Sequence, residues 1–180
     1  MRIAVLENSQ NIYDHTDDRC RELQKRIVTQ GAEIHRCQAW KMPFENGFFI
    51  TAKRDIRLRV SGEGNCFSDD CELGVFQSDQ MGGLQEGKLA VIIVSEVRIR
   101  CAKKIKLALL SPWYANKNIG SKYDVLGSLF LIPSKKDTEI NAVISIDIEK
   151  WAGKTLTINK GDVLAHFVPI TSDEYELTFE

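Results

Sequence analysis

The sequence predicts a mainly β protein, a β-sandwich or jelly-roll-like domain with one amphipathic helix near its N-terminus. Three observations carry this. From Lys88 onward nearly every segment either alternates apolar with polar residues or is apolar throughout over a strand's length. Glycine, proline, asparagine and aspartate punctuate those segments at short intervals. Only one segment repeats its apolar residues with a helical period. It precedes most of the strands instead of recurring between them, which disfavours a parallel α/β sheet.

In chain order, Ile3–Leu6 reads as a short strand. Thr16 then stands as an N-cap, with Asp17 and Asp18 in the first turn, where the helix dipole favours negative charge. Cys20, Leu23 and Ile27 make a narrow apolar stripe, and Gly31 sits where a helix stops, so a helix is expected over 17–30. Residues 32–37 alternate like a strand. Gly47–Thr51 and Asp55–Val60 follow, the second with Ile56, Leu58 and Val60 on one face and Arg57 and Arg59 on the other. Residues 61–87 hold six glycines and read as long loops around a strand near 72–77. Then come Leu89–Ser95, Val97–Cys101, Ile105–Leu109, Val125–Ile132, Ile140–Ile148, Thr155–Ile158, Val163–Val168 and Tyr175–Phe179. That is about ten strands around a single core. The domain reading is a strand–helix–strand appendage over 1–38 and a β-rich domain over 39–180, which together can form one continuous unit.

The chain has 180 residues, enough to bury a core without disulfides or metals. Its net charge is −1, so no global field draws nucleic acid or an anionic membrane. Two short basic runs, Lys103–Lys104–Lys106 and Lys135–Lys136, read as solvated strand ends. The five cysteines are odd in number, and none forms a Cys-x-x-Cys pair. With no signal-like start, reduced thiols in the cytoplasm are expected. The longest apolar run, Leu89–Val94, is far short of the roughly 20 residues a membrane helix needs.

No catalytic or metal-binding motif stands out. The three histidines, His15, His35 and His166, lack the spacing of an iron oxygenase site. Cys66 and Cys71 have a spacing zinc tolerates, but a second pair would have to come from Cys101 and His166. No metal and no cofactor is expected. Gly82 and Gly83 could expose backbone amides to an anion. Trp113 and Tyr114 after Pro112, together with Tyr123, could stack on a ligand, and Lys117 and Lys122 lie in the same region.

One pattern carries a family resemblance. Residues 155–170 read TLTINKGDVLAHFVPI, a strand, a Lys160–Gly161–Asp162 turn and a second strand. This resembles the last core hairpin of the dUTPase and dCTP-deaminase superfamily, with His166 where that family usually has glutamine. Gly47–Phe48–Phe49–Ile50, Pro112–Trp113, Gly120 and Leu129–Pro133 also resemble segments of a family of uncharacterised bacterial and phage proteins. The resemblance implies a dUTPase-like β-fold and a homo-oligomer with pockets between subunits. The catalytic aspartate motif and the glycine-rich arm of dUTPases have no counterpart here, and neither does the glutamate of the deaminases. The expectation is therefore a non-catalytic, nucleotide-type small-ligand binder, sequestering or regulatory, contacting its ligand through Trp113, Tyr114, Lys117, Lys122, Tyr123, Gly82 and Gly83. The alternative is a protein-interaction module that docks through Cys20, Leu23 and Ile27 of the helix.

Overall fold

The two runs on either side of Glu96 form one bent strand, and the rest of the molecule is arranged around it. The computed structural model describes residues 2–7, 9–14, 16–29, 47–77, 79–80, 84–112, 119–171 and 175–179. In chain order it contains β1 (Arg2–Glu7), a 3-10 turn (Ser9–Asn11), β2 (Ile12–Asp14), α1 (Asp18–Thr29), β3 (Phe48–Thr51), β4 (Ile56–Val60) and β5 (Cys66–Phe67). Then follow β6 (Leu73–Gln77), β7 (Lys88–Cys101), β8 (Ile105–Leu110), β9 (Asp124–Val125), β10 (Ser128–Ile132) and β11 (Thr138–Asp147). The chain closes with α2 (Ile148–Trp151), β12 (Thr155–Ile158), β13 (Val163–Ile170) and β14 (Glu176–Phe179). The protein is mainly β, as its sequence predicts.

Along one edge, β7 pairs with β11 over almost its whole length. Along the other it pairs first with β6, through Leu89–Ile93, and then with β1, through Arg98–Cys101. The change of partner falls at Glu96, whose φ of 59° is left-handed, a conformation that crowds an L residue's Cβ against the backbone. Side chains bridge the irregularity. Ser95 N–H donates to Asn141 Oδ1 (3.0 Å), and the Ser95 hydroxyl donates to the Ile140 carbonyl while accepting from Val97 N–H (3.1 Å). Lys53 and Arg54 both reach Glu96, at 2.7 and 2.8 Å.

Strands β14, β1, β7, β11 and β9, with β6 alongside β7, form one sheet. Strands β10, β8, β13, β3 and β2 form a second, and β12, β4 and β5 a third. Their inward faces meet in one core. Ile3, Val5, Ile93 and Ile99 come from the first sheet, Phe48, Leu107 and Phe167 from the second, and Leu58 and Leu156 from the third. Residues 2–14 contribute strands to both large sheets, because β1 lies between β14 and β7 and β2 adds to β3.

Several expectations change in detail. Helix α1 runs over Asp18–Thr29, but its cap is Asp17, not Thr16. The Asp17 carbonyl accepts from Arg21 N–H and its side chain from Arg19 N–H (2.8 Å), while Thr16 is held in a turn by Asp14. The helix is not alone, since Asp147 caps the one-turn α2. That element is too short to show a helical period. The expected strand 125–132 divides into β9 and β10, which join different sheets. The 61–87 region holds β5 as well as β6, and β2 was hidden in a polar stretch. The expected strand at 32–37 lies outside the described residues.

Candidate functional site

On the face turned away from the main core, the second sheet carries a buried aromatic row set by strand register. Tyr13 of β2 pairs with Phe49 of β3, and Phe49 pairs with His166 of β13. The Tyr13 and Phe49 rings stack at 5.0 Å between centroids, and Phe49 and His166 at 4.2 Å. Arg19 of α1 caps the row, its guanidinium 4.5 Å from the Tyr13 ring centre. The same guanidinium forks onto Asp17 at 2.8 and 2.9 Å and donates to the Gln10 and Ile12 carbonyls. The hydrogen bonds from the Arg19 side chain hold the Asp17 carboxyl below its usual range. Arg19 thus fastens α1 to the 3-10 turn and β2, with most of its donors committed there. Cys20 and Leu23 are buried, so this part of the helix's stripe is not an exposed face. The Ile27 side chain lies outside the described residues.

Beside this row a cleft of about 790 Å³ opens between the N-terminal segment and the β12–β13 turn. It is lined by Gln10, Asn11, Arg19 and Glu22 from the N-terminal segment, by Lys160, Gly161 and Asp162 from the turn, and by Thr51. The turn is the Lys-Gly-Asp segment of the C-terminal hairpin. Gly161 has a φ of 84°, which explains why glycine stands there. The turn is held rigidly. Gly161 N–H donates to the Ala52 carbonyl (2.8 Å), Ala52 N–H to Asp162 (2.9 Å), and Lys160 N–H to Asp55 Oδ1 (2.8 Å). Asp162 also accepts from Asn159 N–H through its carboxylate (3.0 Å). The turn's amides are therefore consumed internally and form no anion nest.

One group in the cleft is unsatisfied. Asn11 is 6 % exposed, and its buried Nδ2 has no acceptor among the described residues. Its backbone is engaged, since the Thr51 hydroxyl donates to the Asn11 carbonyl (3.2 Å). A buried amide donor left in this way costs roughly 1–3 kcal/mol, which an acceptor on a bound molecule would recover. The ionisable lining is mixed. Arg19 is neutralised by Asp17, leaving Lys160 against Glu22 and Asp162.

Of the residues singled out from sequence as ligand contacts, two are described, Lys122 and Tyr123. Gly82, Gly83, Trp113, Tyr114 and Lys117 lie outside the described residues. Tyr123 is 3 % exposed and belongs to the core, so its ring offers no stacking face. Lys122 is half-buried in a turn tied to α2, its carbonyl accepting from Trp151 Nε1 (2.9 Å). Neither lines the cleft. Asn11, which does, gives no sequence signal, because a lone asparagine in a polar stretch reads as a turn residue.

Burial keeps the described thiols protonated. It pushes Cys20, Cys66 and Cys101 up to about 11, and Cys71 upward too. Among the described residues no group of three or more histidine, cysteine, aspartate or glutamate side chains could hold a metal ion. No helix among them is long and apolar enough to cross a membrane. No protein-family model matches the chain, and no curated protein matches it.

Proposed function

We propose that this chain is a small-ligand binding protein whose site is the cleft between Asn11 and the β12–β13 turn. The reading is supported by two observations: Asn11 lines a cavity of ligand size, and its buried Nδ2 has no acceptor among the described residues. Such a donor selects a ligand with a carbonyl or ring-nitrogen acceptor. Lys160 adds one cation and Thr51 one hydroxyl. The mixed charge and the committed turn amides favour a nucleoside or a monoanionic relative over a triphosphate. A nucleotide-type ligand on a dUTPase-like fold is the form of this reading that the hairpin resemblance motivates, since the Lys160–Gly161–Asp162 turn itself lines the cleft.

The test is a thermal-shift panel of nucleobases, nucleosides and nucleotides on the purified chain. A ligand at 100 times its dissociation constant adds about 2.7 kcal/mol, a rise of roughly 5–10 °C for a domain of this size. The expected result is a saturable shift with one nucleoside class, weakened by Lys160→Ala and lost in Asn11→Leu. A shift of equal size in Asn11→Leu would move the site elsewhere. Silence across the panel would overturn the nucleotide reading.

A further inference from the structure

Strand β10 is the last strand of the second sheet. It pairs with β8 through five consecutive residues, and among the described residues nothing pairs with its other edge. Edge strands of soluble proteins are ordinarily guarded by a charge, a proline or a bulge. The segment Ser128–Ile132 carries no charged residue and no proline, and its register with β8 is unbroken. Its outward side chains, Leu129 and Leu131, are 61 % and 52 % exposed. Across the sheet the register sets Leu131 beside Lys106, and Lys106 beside Ile170, which is 55 % exposed.

The two basic runs that look separate in sequence meet at the Ile132 end of this strand. Cys101 bridges Ser134, Lys135 N–H donates to the Cys101 carbonyl (2.7 Å), and the Ser134 hydroxyl donates to the Ala102 carbonyl (2.8 Å). The β7–β8 and β10–β11 turns are thereby joined, and Lys104 and Lys106 stand at the same end as Lys135 and Lys136. All four are exposed, and none is in an ion pair among the described residues. The nearby carboxylate of Asp137 is taken by Arg100 at 2.6 Å. A groove of about 440 Å³ runs here, lined by Lys104, Lys106, Leu131 and Ile170 among others.

We propose that β10 is a docking edge that accepts an extended acidic peptide as an added strand. Main-chain groups of the peptide pair with the open edge, and its alternate aliphatic side chains lie against Leu129 and Leu131. Carboxylates at its end beside Ile132 meet Lys104, Lys106, Lys135 and Lys136. A bilayer would use the leucines and lysines but leave the edge unpaired. A single-stranded nucleic acid would use the lysines but find no exposed aromatic ring on this patch among the described residues. An extended peptide uses all three features. This site is separate from the cleft and stands whether or not the cleft binds a ligand.

The test is fluorescence anisotropy on the full chain. The probe is a labelled peptide of alternating valine and threonine with glutamates at its N-terminal end, the end an antiparallel partner sets beside Ile132. Saturable binding is expected, weakening as salt is raised. Leu131→Lys restores a guard to the edge without removing positive charge, and it is expected to weaken binding about tenfold or more. Paired Lys104→Glu and Lys135→Glu changes weaken it similarly, and a probe with lysines for glutamates does not bind. Circular dichroism of each variant checks the fold. No binding at millimolar probe, or equal binding to Leu131→Lys, would overturn the proposal. So would a chain that ignores the probe yet sediments with phosphatidylserine vesicles, or that self-associates through the same edge.

Discussion

Asn11 and Arg19 show how much a single side chain's surroundings decide. Both are polar residues in the N-terminal segment. Arg19 meets Asp17, two carbonyls and the Tyr13 ring, and it becomes a structural clamp. Asn11 is carried below the surface, and its Nδ2 finds no acceptor among the described residues. That orphan donor is a cost to the folded state. Asn11→Leu is therefore expected to raise the unfolding midpoint, by roughly 2–4 °C for each kcal/mol recovered, with about 1–3 kcal/mol available. Calorimetry of the variant alone checks this. A lowered midpoint would mean that the amide is satisfied in solution, and the cleft would lose its main argument.

At the scale of elements, the loop between β5 and β6 is tied to β4 by charge. Asp70 accepts from Arg57 N–H (2.8 Å) and from its guanidinium at 2.8 and 3.1 Å. The side-chain bonds from Arg57 are the larger cause of a carboxyl held at about 2, and the bond from Arg57 N–H adds to them. In the unfolded chain an aspartate titrates near 4, so the folded state's preference for the ionised form is fully present above about pH 4. It is lost as the pH falls toward 2. Asp70→Asn is accordingly expected to melt below the wild type at pH 6, with the gap closing as the pH approaches 2. Midpoints measured across that range check it, and a gap constant with pH would show that the Arg57 contact does not act through charge. The β4 alternation of Arg57 and Arg59 was plain in sequence. Their acidic partners Asp70 and Asp69 were not, because they arrive from a loop ten or more residues away.

Across the whole molecule, the N-terminal strand is a structural member of the core sheet. β1 lies between β14, which runs parallel to it, and β7, which runs antiparallel. Ile3 and Val5 are fully buried. Removing residues 1–14 opens the six-stranded sheet in its interior and strips β2 from β3, so the truncated chain is expected to lose cooperative unfolding. A sigmoidal melt retained by the truncated chain would show that the remaining strands close the core without β1.

By itself, the sequence determined the class of this protein and most of its strands, because a period of two needs only neighbouring residues to be read. It also marked the helix to within a residue at each end, and it drew attention to the Lys160–Gly161–Asp162 turn. Tertiary structure alone decided which strand joins which sheet, where β7 changes partner, and that the two lysine runs share one end of the molecule. It also decided that Tyr123 belongs to the core and that Asn11 faces a cleft. The physical reason is the same in each case. Burial, orphaned donors and charge clusters arise between segments far apart in the chain, and local periodicity carries no information about which distant segment will arrive.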